Sequence, residues 1–170
     1  LEINGVPVSH LANNQVYDLV LWVAATSPSH GAITERLKSL LTPARFNFVS
    51  LQYGERAADL AVLNAGSASE VHDWPEAHAS LDETAALVSA LDLVITVDTT
   101  IAHLAAALGK PVWVMVPHNA EWRYLHEGST MPWYPTMRIF RRRRGAVWTD
   151  TIMEIARALE TWHAAARMHD

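Results

Sequence analysis

No cysteine occurs in the 170 residues, which excludes a disulfide framework and any thiolate-bound zinc, and leaves the redox compartment unmarked. No uninterrupted apolar run is long enough to span a bilayer, although half of the residues are hydrophobic, so a globular chain without a membrane span is expected. Positive charge is scarce: 13 Lys and Arg against 18 Asp and Glu give a net charge of −5 with His neutral. That balance argues against a general nucleic-acid binder. The nine histidines lack a ligand pattern, because neither His72 with His78 nor His163 with His169 falls at metal-binding spacing on one helical face. No metal and no cofactor is expected. No signal peptide is visible and the first residue is Leu1 rather than Met, as expected of a processed product or an excised piece of something longer; a cytoplasmic location is expected.

What is present gathers in LVITVDTTIAHLAAALGKPVWVMVP, residues 93–117. Residues 93–97 and 112–116 are short apolar runs suited to strands buried on both faces, with Gly109, Lys110 and Pro111 as the stop signal before the second. Between them Ile101, Leu104, Ala105 and Leu108 recur at helical spacing. The segment reads as a βαβ unit. Asp98, Thr99, Thr100 and His103 then lie where the first strand ends and the helix begins, at the carboxyl edge where open α/β sheets bind ligands. Unpaired N–H groups and the positive end of the helix dipole favour phosphate there. A spacing of four puts His103 one turn above Thr99, so hydroxyls and imidazole can converge on one anion. Taken alone, a cap from Asp98 or Thr99 with a locally packed His103 is the simpler account.

The βα alternation recurs along the chain. Residues 17–24 read as a strand, 32–41 as a helix, 46–51 as a strand, and 55–63 as a helix after a turn at Gln52, Tyr53 and Gly54. A short strand is expected near Val71. Ser80 with Glu83 three residues on forms a capping box that opens a helix to Ala90. An aromatic-rich loop with Trp122, Tyr124, Trp133 and Tyr134 follows Pro117, then a last strand at 137–140, four arginines, and a closing helix at 149–166. The fold class expected is α/β: a Rossmann-like parallel sheet with helices on both faces, occupying residues 16–170 after a lead-in at 1–15. The arginines at 141–144, with Arg138, are expected to form a solvated edge or a patch for an acidic surface of the same protein.

DLVITVDTTIAHLAAALGKPVWVMVP, with EWRYL, MPWYPTMRIFR and a Trp shortly before the last helix, resembles the C-terminal half of heptosyltransferase-family glycosyltransferases, especially bacterial versions that follow tetratricopeptide repeats. FVSLQYG at 48–54 and DETAALVSALDLV at 82–94 extend the resemblance from about Phe46 to the C-terminus. It implies the GT-B architecture, two Rossmann-like domains facing across a cleft, with this chain as the domain that binds a nucleoside diphosphate sugar. By the same resemblance, Asp98, Thr99, Thr100 and His103 match the segment at the donor diphosphate. Gln52, Tyr53 and Gly54 match a turn facing the cleft, Thr84 a polar position near the nucleotide edge, and Trp122 with Arg123 a Trp-Arg pair in the loop after the fifth strand. Capping in its own neighbourhood is the alternative for Thr84, and burial of the loop against the sheet is the alternative for Trp122 and Trp133.

Two departures qualify the resemblance. Tyr53 stands where relatives often carry Lys, and residues 22–28 keep Trp22 and Pro28 but lack the glycine that relatives place between them. Two functions are therefore expected in competition. One is the donor-binding domain of a glycosyltransferase, whose general base comes from an N-terminal acceptor domain or a partner chain. The other is a degenerate interaction module without transfer activity.

Overall fold

Apolar runs become strands here because both faces of the sheet are covered, while helices alternate a buried and an exposed side. The computed structural model describes residues 2–3, 6–7, 17–21, 46–52, 57–65 and 69–166. Its strands are β1 (Glu2–Ile3), β2 (Val6–Pro7), β3 (Tyr17–Leu21), β4 (Phe46–Val49), β5 (Val71–His72), β6 (Leu93–Val97), β7 (Val112–Val116), β8 (Thr130–Met131) and β9 (Tyr134–Arg141). The helices are α1 (Ala57–Asn64), α2 (Leu81–Ala90), α3 (Thr100–Ala107) and α4 (Trp148–Ala166), with 3₁₀ turns at Pro75–His78 and Trp122–Tyr124.

Seven of these strands form one sheet in the order β5-β4-β3-β6-β7-β9-β8. All neighbours are parallel except β8, which runs antiparallel to β9. The chain moves outward from β3 to β5, then returns to the other side of β3 with β6, so the order reverses between β3 and β6. Such a switch point opens a crevice at the carboxyl ends of the strands.

Alternation along each strand fills two cores. Val94, Val112, Val114, Val116, Met137 and Ile139 pack with Leu87, Val88, Ile101, Ala102 and Ala105 from α2 and α3. The intervening residues Leu93, Ile95, Trp113, Met115 and Phe140 pack with Leu60 of α1 and Ile152, Ile155 and Leu159 of α4. Helices thus cover both faces, as expected for a doubly wound sheet.

Local chemistry sets the element ends. Ser80 Oγ accepts the Glu83 N–H at 3.1 Å and caps α2. Gly109, at φ +76°, ends α3: its N–H donates to Ala106 O and that of Lys110 to Ala105 O, both at 3.0 Å, closing a Schellman motif. The short β5 is held by Asn64, whose Oδ1 accepts the Val71 N–H at 2.8 Å and whose Nδ2 donates to Val71 O at 3.2 Å.

Three features differ from the sequence reading. The lead-in contains an antiparallel pair, β1 with β2. The last strand begins three residues earlier than expected, at Tyr134, and β8 lies beside it where a loop was expected. The expected helix at 32–41 and residues 22–30 lie outside the described residues.

Candidate functional site

Three parallel strands deliver their carboxyl ends to one place. Val97 pairs with Met115 and Val116 with Arg141, so the turns after β6, β7 and β9 share an edge. Asp98 and Thr99 follow β6 directly. Thr99 is the N-cap residue of α3, in extended conformation (φ −126°, ψ 174°), yet its side chain makes no capping hydrogen bond. Its hydroxyl turns back toward the strand, 3.4 Å from Val97 O and 3.4 Å from the hydroxyl of Thr96, which is fully buried. Its N–H also donates to Val97 O, at 2.8 Å. Of the simpler account of this turn, a cap by Asp98 or Thr99 with a locally packed His103, the Thr99 cap is absent, while His103 does pack locally, against Tyr124 and Tyr134. The helix start keeps its positive dipole end without a capping hydroxyl, the arrangement that suits an anion.

One turn into α3, His103 meets two tyrosines. Its Nε2 lies 3.4 Å from the Tyr124 hydroxyl, and its ring centroid lies 6.2 Å from Tyr124 and 5.8 Å from Tyr134. Tyr124 is buried, and its carbonyl accepts a 2.7 Å hydrogen bond from Arg141 Nη2. The Asp98 side chain reaches solvent, but the packed turn beneath it withdraws enough water to raise its carboxyl above the ordinary 3.8. The nearby Glu121 adds to the rise, while the Asp98 main-chain N–H and Arg123 oppose it. Burial, and next the Asp98 charge, push the Tyr124 hydroxyl up to about 12, so it stays protonated at neutral pH. Arg123 pairs with Glu121 and stacks 5.9 Å from the Trp122 ring.

The other anticipated residues separate. Thr84 is fully buried, and its hydroxyl lies 2.9 Å from Ala77 O and 3.0 Å from Ser80 O. That ties the 3₁₀ turn Pro75–His78 to α2, a structural task. Gln52 is half-buried past β4, two strands from β6, with its N–H 3.3 Å from Ser50 Oγ. Tyr53 and Gly54 lie outside the described residues. Trp122 and Trp133 do not bury the loop: they are 69% and 58% exposed and meet edge to face with centroids 6.3 Å apart.

The arginine edge is in part solvated, as expected, and in part built into the fold. Arg138 lies over Trp113 and Phe140. Arg141 holds Tyr124, and Arg142 stacks 5.1 Å from Trp148 while donating to Ala146 O at 3.0 Å. Arg138, Arg143 and Arg144 are exposed, whereas Arg141 and Arg142 are half-buried. Sequence reasoning placed Tyr124 and Tyr134 in a loop without assigning them to the site, and it missed Thr96, Glu121 and the role of Arg141. The sole signal for Tyr124 was its place in EWRYL. Among the described residues, no three His, Asp or Glu side chains gather as a metal site, and no helix is long and apolar enough to cross a membrane.

Residues 61–138 match the family model of glycosyltransferase family 9 (heptosyltransferase). The chain is glycosyltransferase family 9-like. Protein FlbA of Caulobacter vibrioides is 35% identical over 122 residues, which are 69% of this chain and 20% of that protein. The E. coli heptosyltransferase WaaC, solved with ADP-2-deoxy-2-fluoro heptose, superposes with a TM-score of 0.61 at 20% identity, covering 91% of this chain and 46% of its own. The E. coli ADP-heptose lps heptosyltransferase II gives 0.64 at 17% identity, covering 94% and 50%. The fold thus corresponds to half of a GT-B heptosyltransferase, and the chain spans about a fifth of FlbA. The glycosyltransferase family 9 match takes in Thr84, Asp98 to His103, Trp122 and Arg123, and leaves Gln52 outside.

Proposed function

We propose that this domain holds the nucleoside diphosphate sugar of a glycosyltransferase. The diphosphate sits at the start of α3, with Asp98, Thr99, Thr100 and His103 around it and Trp122 and Arg123 at its rim. The observation that carries the reading is the uncapped start of α3 at a sheet switch point, with an imidazole one turn above it. In transfer, charge gathers on the leaving diphosphate, and a fixed dipole with N–H and O–H donors stabilises it without reorganisation and without a divalent cation. The base that takes the acceptor proton comes from an N-terminal acceptor domain or a partner chain, so this chain alone binds donor and transfers nothing. Thr84 drops out of the site, since its hydroxyl serves the main chain.

Calorimetric titration with ADP tests the reading. Loss of a hydrogen bond to a charged phosphate costs about 1.5–3 kcal/mol, so His103→Ala weakens ADP binding roughly 10- to 100-fold. Unaltered chain that ignores ADP at millimolar concentration, or His103→Ala that binds as the unaltered chain does, defeats it. The exposed Trp122 and Trp133 pair favours a second reading, an interaction module without transfer activity. The same failure to bind nucleotide would count for that module.

A further inference from the structure

Backbone strain sits beside the candidate site. Leu125 ends the 3₁₀ turn Trp122–Tyr124 at φ 59° and ψ 179°, a region that side-chain-bearing residues rarely adopt and that clusters at active sites and ligand clamps. Leu125 is 45% exposed, so its own burial does not explain the conformation. Its neighbour does. Tyr124 is fixed at its carbonyl by Arg141, the last residue of β9, whose register with Val116 anchors the clamp to the sheet. Among the described residues, Nε and Nη1 of that guanidinium are buried without a hydrogen-bond partner, a second cost borne at the same point. Both features converge on one contact, the Tyr124 hydroxyl against His103 Nε2 at 3.4 Å. Such contacts are often long without ligand and tighten when one binds.

We propose that Tyr124, clamped by Arg141, is a positioning residue for His103: its hydroxyl donates to Nε2, keeps the imidazole proton on Nδ1, and so presents an N–H to a phosphate oxygen of the nucleoside diphosphate. The partner of one ring nitrogen decides which nitrogen carries the proton. An imidazole free to exchange tautomers would in part of its states aim a lone pair at the phosphate. The inference rests on the diphosphate reading above.

Long-range proton–nitrogen NMR on the whole chain reports the His103 tautomer, with His103→Ala identifying the signal, and ADP titration reports binding. The unaltered chain shows the Nδ1–H form. Tyr124→Phe, which keeps the buried ring, loses that form and binds ADP about three- to tenfold more weakly, the fold-change for one net hydrogen bond. Arg141→Lys, which still reaches the carbonyl, behaves as the unaltered chain, whereas Arg141→Met follows Tyr124→Phe. An unchanged tautomer in Tyr124→Phe overturns the proposal, whatever happens to affinity. Equal ADP binding by Tyr124→Phe and the unaltered chain, with His103→Ala weakened, overturns it while leaving the diphosphate reading intact. An unaltered chain that does not bind ADP overturns both.

Discussion

Replacing Thr84 by Val separates a structural hydroxyl from a nucleotide-binding one. The side chain is fully buried, and Val fills nearly the same volume, so no cavity opens. What is lost is the donor shared between Ala77 O and Ser80 O. The Ser80 carbonyl keeps the Thr84 N–H at 3.1 Å, so the Ala77 carbonyl bears most of the loss. One net hydrogen bond together with a stranded buried carbonyl costs about 1–3 kcal/mol. A central value of about 2 kcal/mol lowers the melting midpoint of a chain this long by roughly 4–8 °C. Thermal denaturation followed by circular dichroism measures that shift, and ADP titration on the same protein should give the affinity of the unaltered chain. A midpoint that stays put while ADP affinity falls tenfold or so would refute the reasoning, because the hydroxyl would then be serving the ligand.

Two further predictions concern protons. Free tyrosine ionises near 10.0, whereas Tyr124 in the fold holds its proton to about 12, so stability present below the first value is lost as pH rises toward the second. After allowance for solvent screening this amounts to about 1–2 kcal/mol, and denaturant midpoints of Tyr124→Phe should fall less steeply over that interval; equal slopes would remove the assignment. The Asp98 carboxyl is raised above 3.8, by burial first, so the folded chain keeps that proton after the unfolded chain has lost it, and the penalty is full at neutral pH. Asp98→Asn should melt higher than the unaltered chain at neutral pH and together with it well below 3.8; the opposite ordering would mean that Arg123, not burial, dominates.

What the sequence disclosed were features whose cause is local. Val112 to Val116 is apolar at every position because both faces are covered, and the structure buries all five. Ser80 and Glu83 cap α2 across three residues, and Gly109 closes α3 within its own turn, so both were legible. Thr84 was ambiguous because its partner, Ala77 O, belongs to a separate turn seven residues away. The four arginines at 141–144 are identical as letters, and packing alone distinguishes Arg141 under Tyr124 and Arg142 on Trp148 from their exposed neighbours. The two-residue β8 has no period to detect, and its irregular pairing with Arg138 and Tyr134 is set by the sheet. Trp122 and Trp133 looked like anchors for the loop because large aromatic rings usually gain by burial. Tyr124, which lies between them in sequence, takes the buried position instead.

The placement of the site follows from the strand order. The turns after β6, β7 and β9 come together because these three strands are parallel and adjacent, so their ends gather His103, Tyr124 and Arg141 within hydrogen-bonding reach. Gln52 follows β4, which β3 separates from β6. Two strand spacings amount to about 10 Å along the sheet edge. A lone phosphate at the start of α3 cannot bridge that distance, but an extended nucleoside diphosphate sugar can, lying across the end of β3. Under the donor reading, Gln52 and His103 therefore contact opposite parts of one ligand. Gln52 substitutions should then discriminate ADP from inorganic phosphate, while His103 substitutions should weaken both.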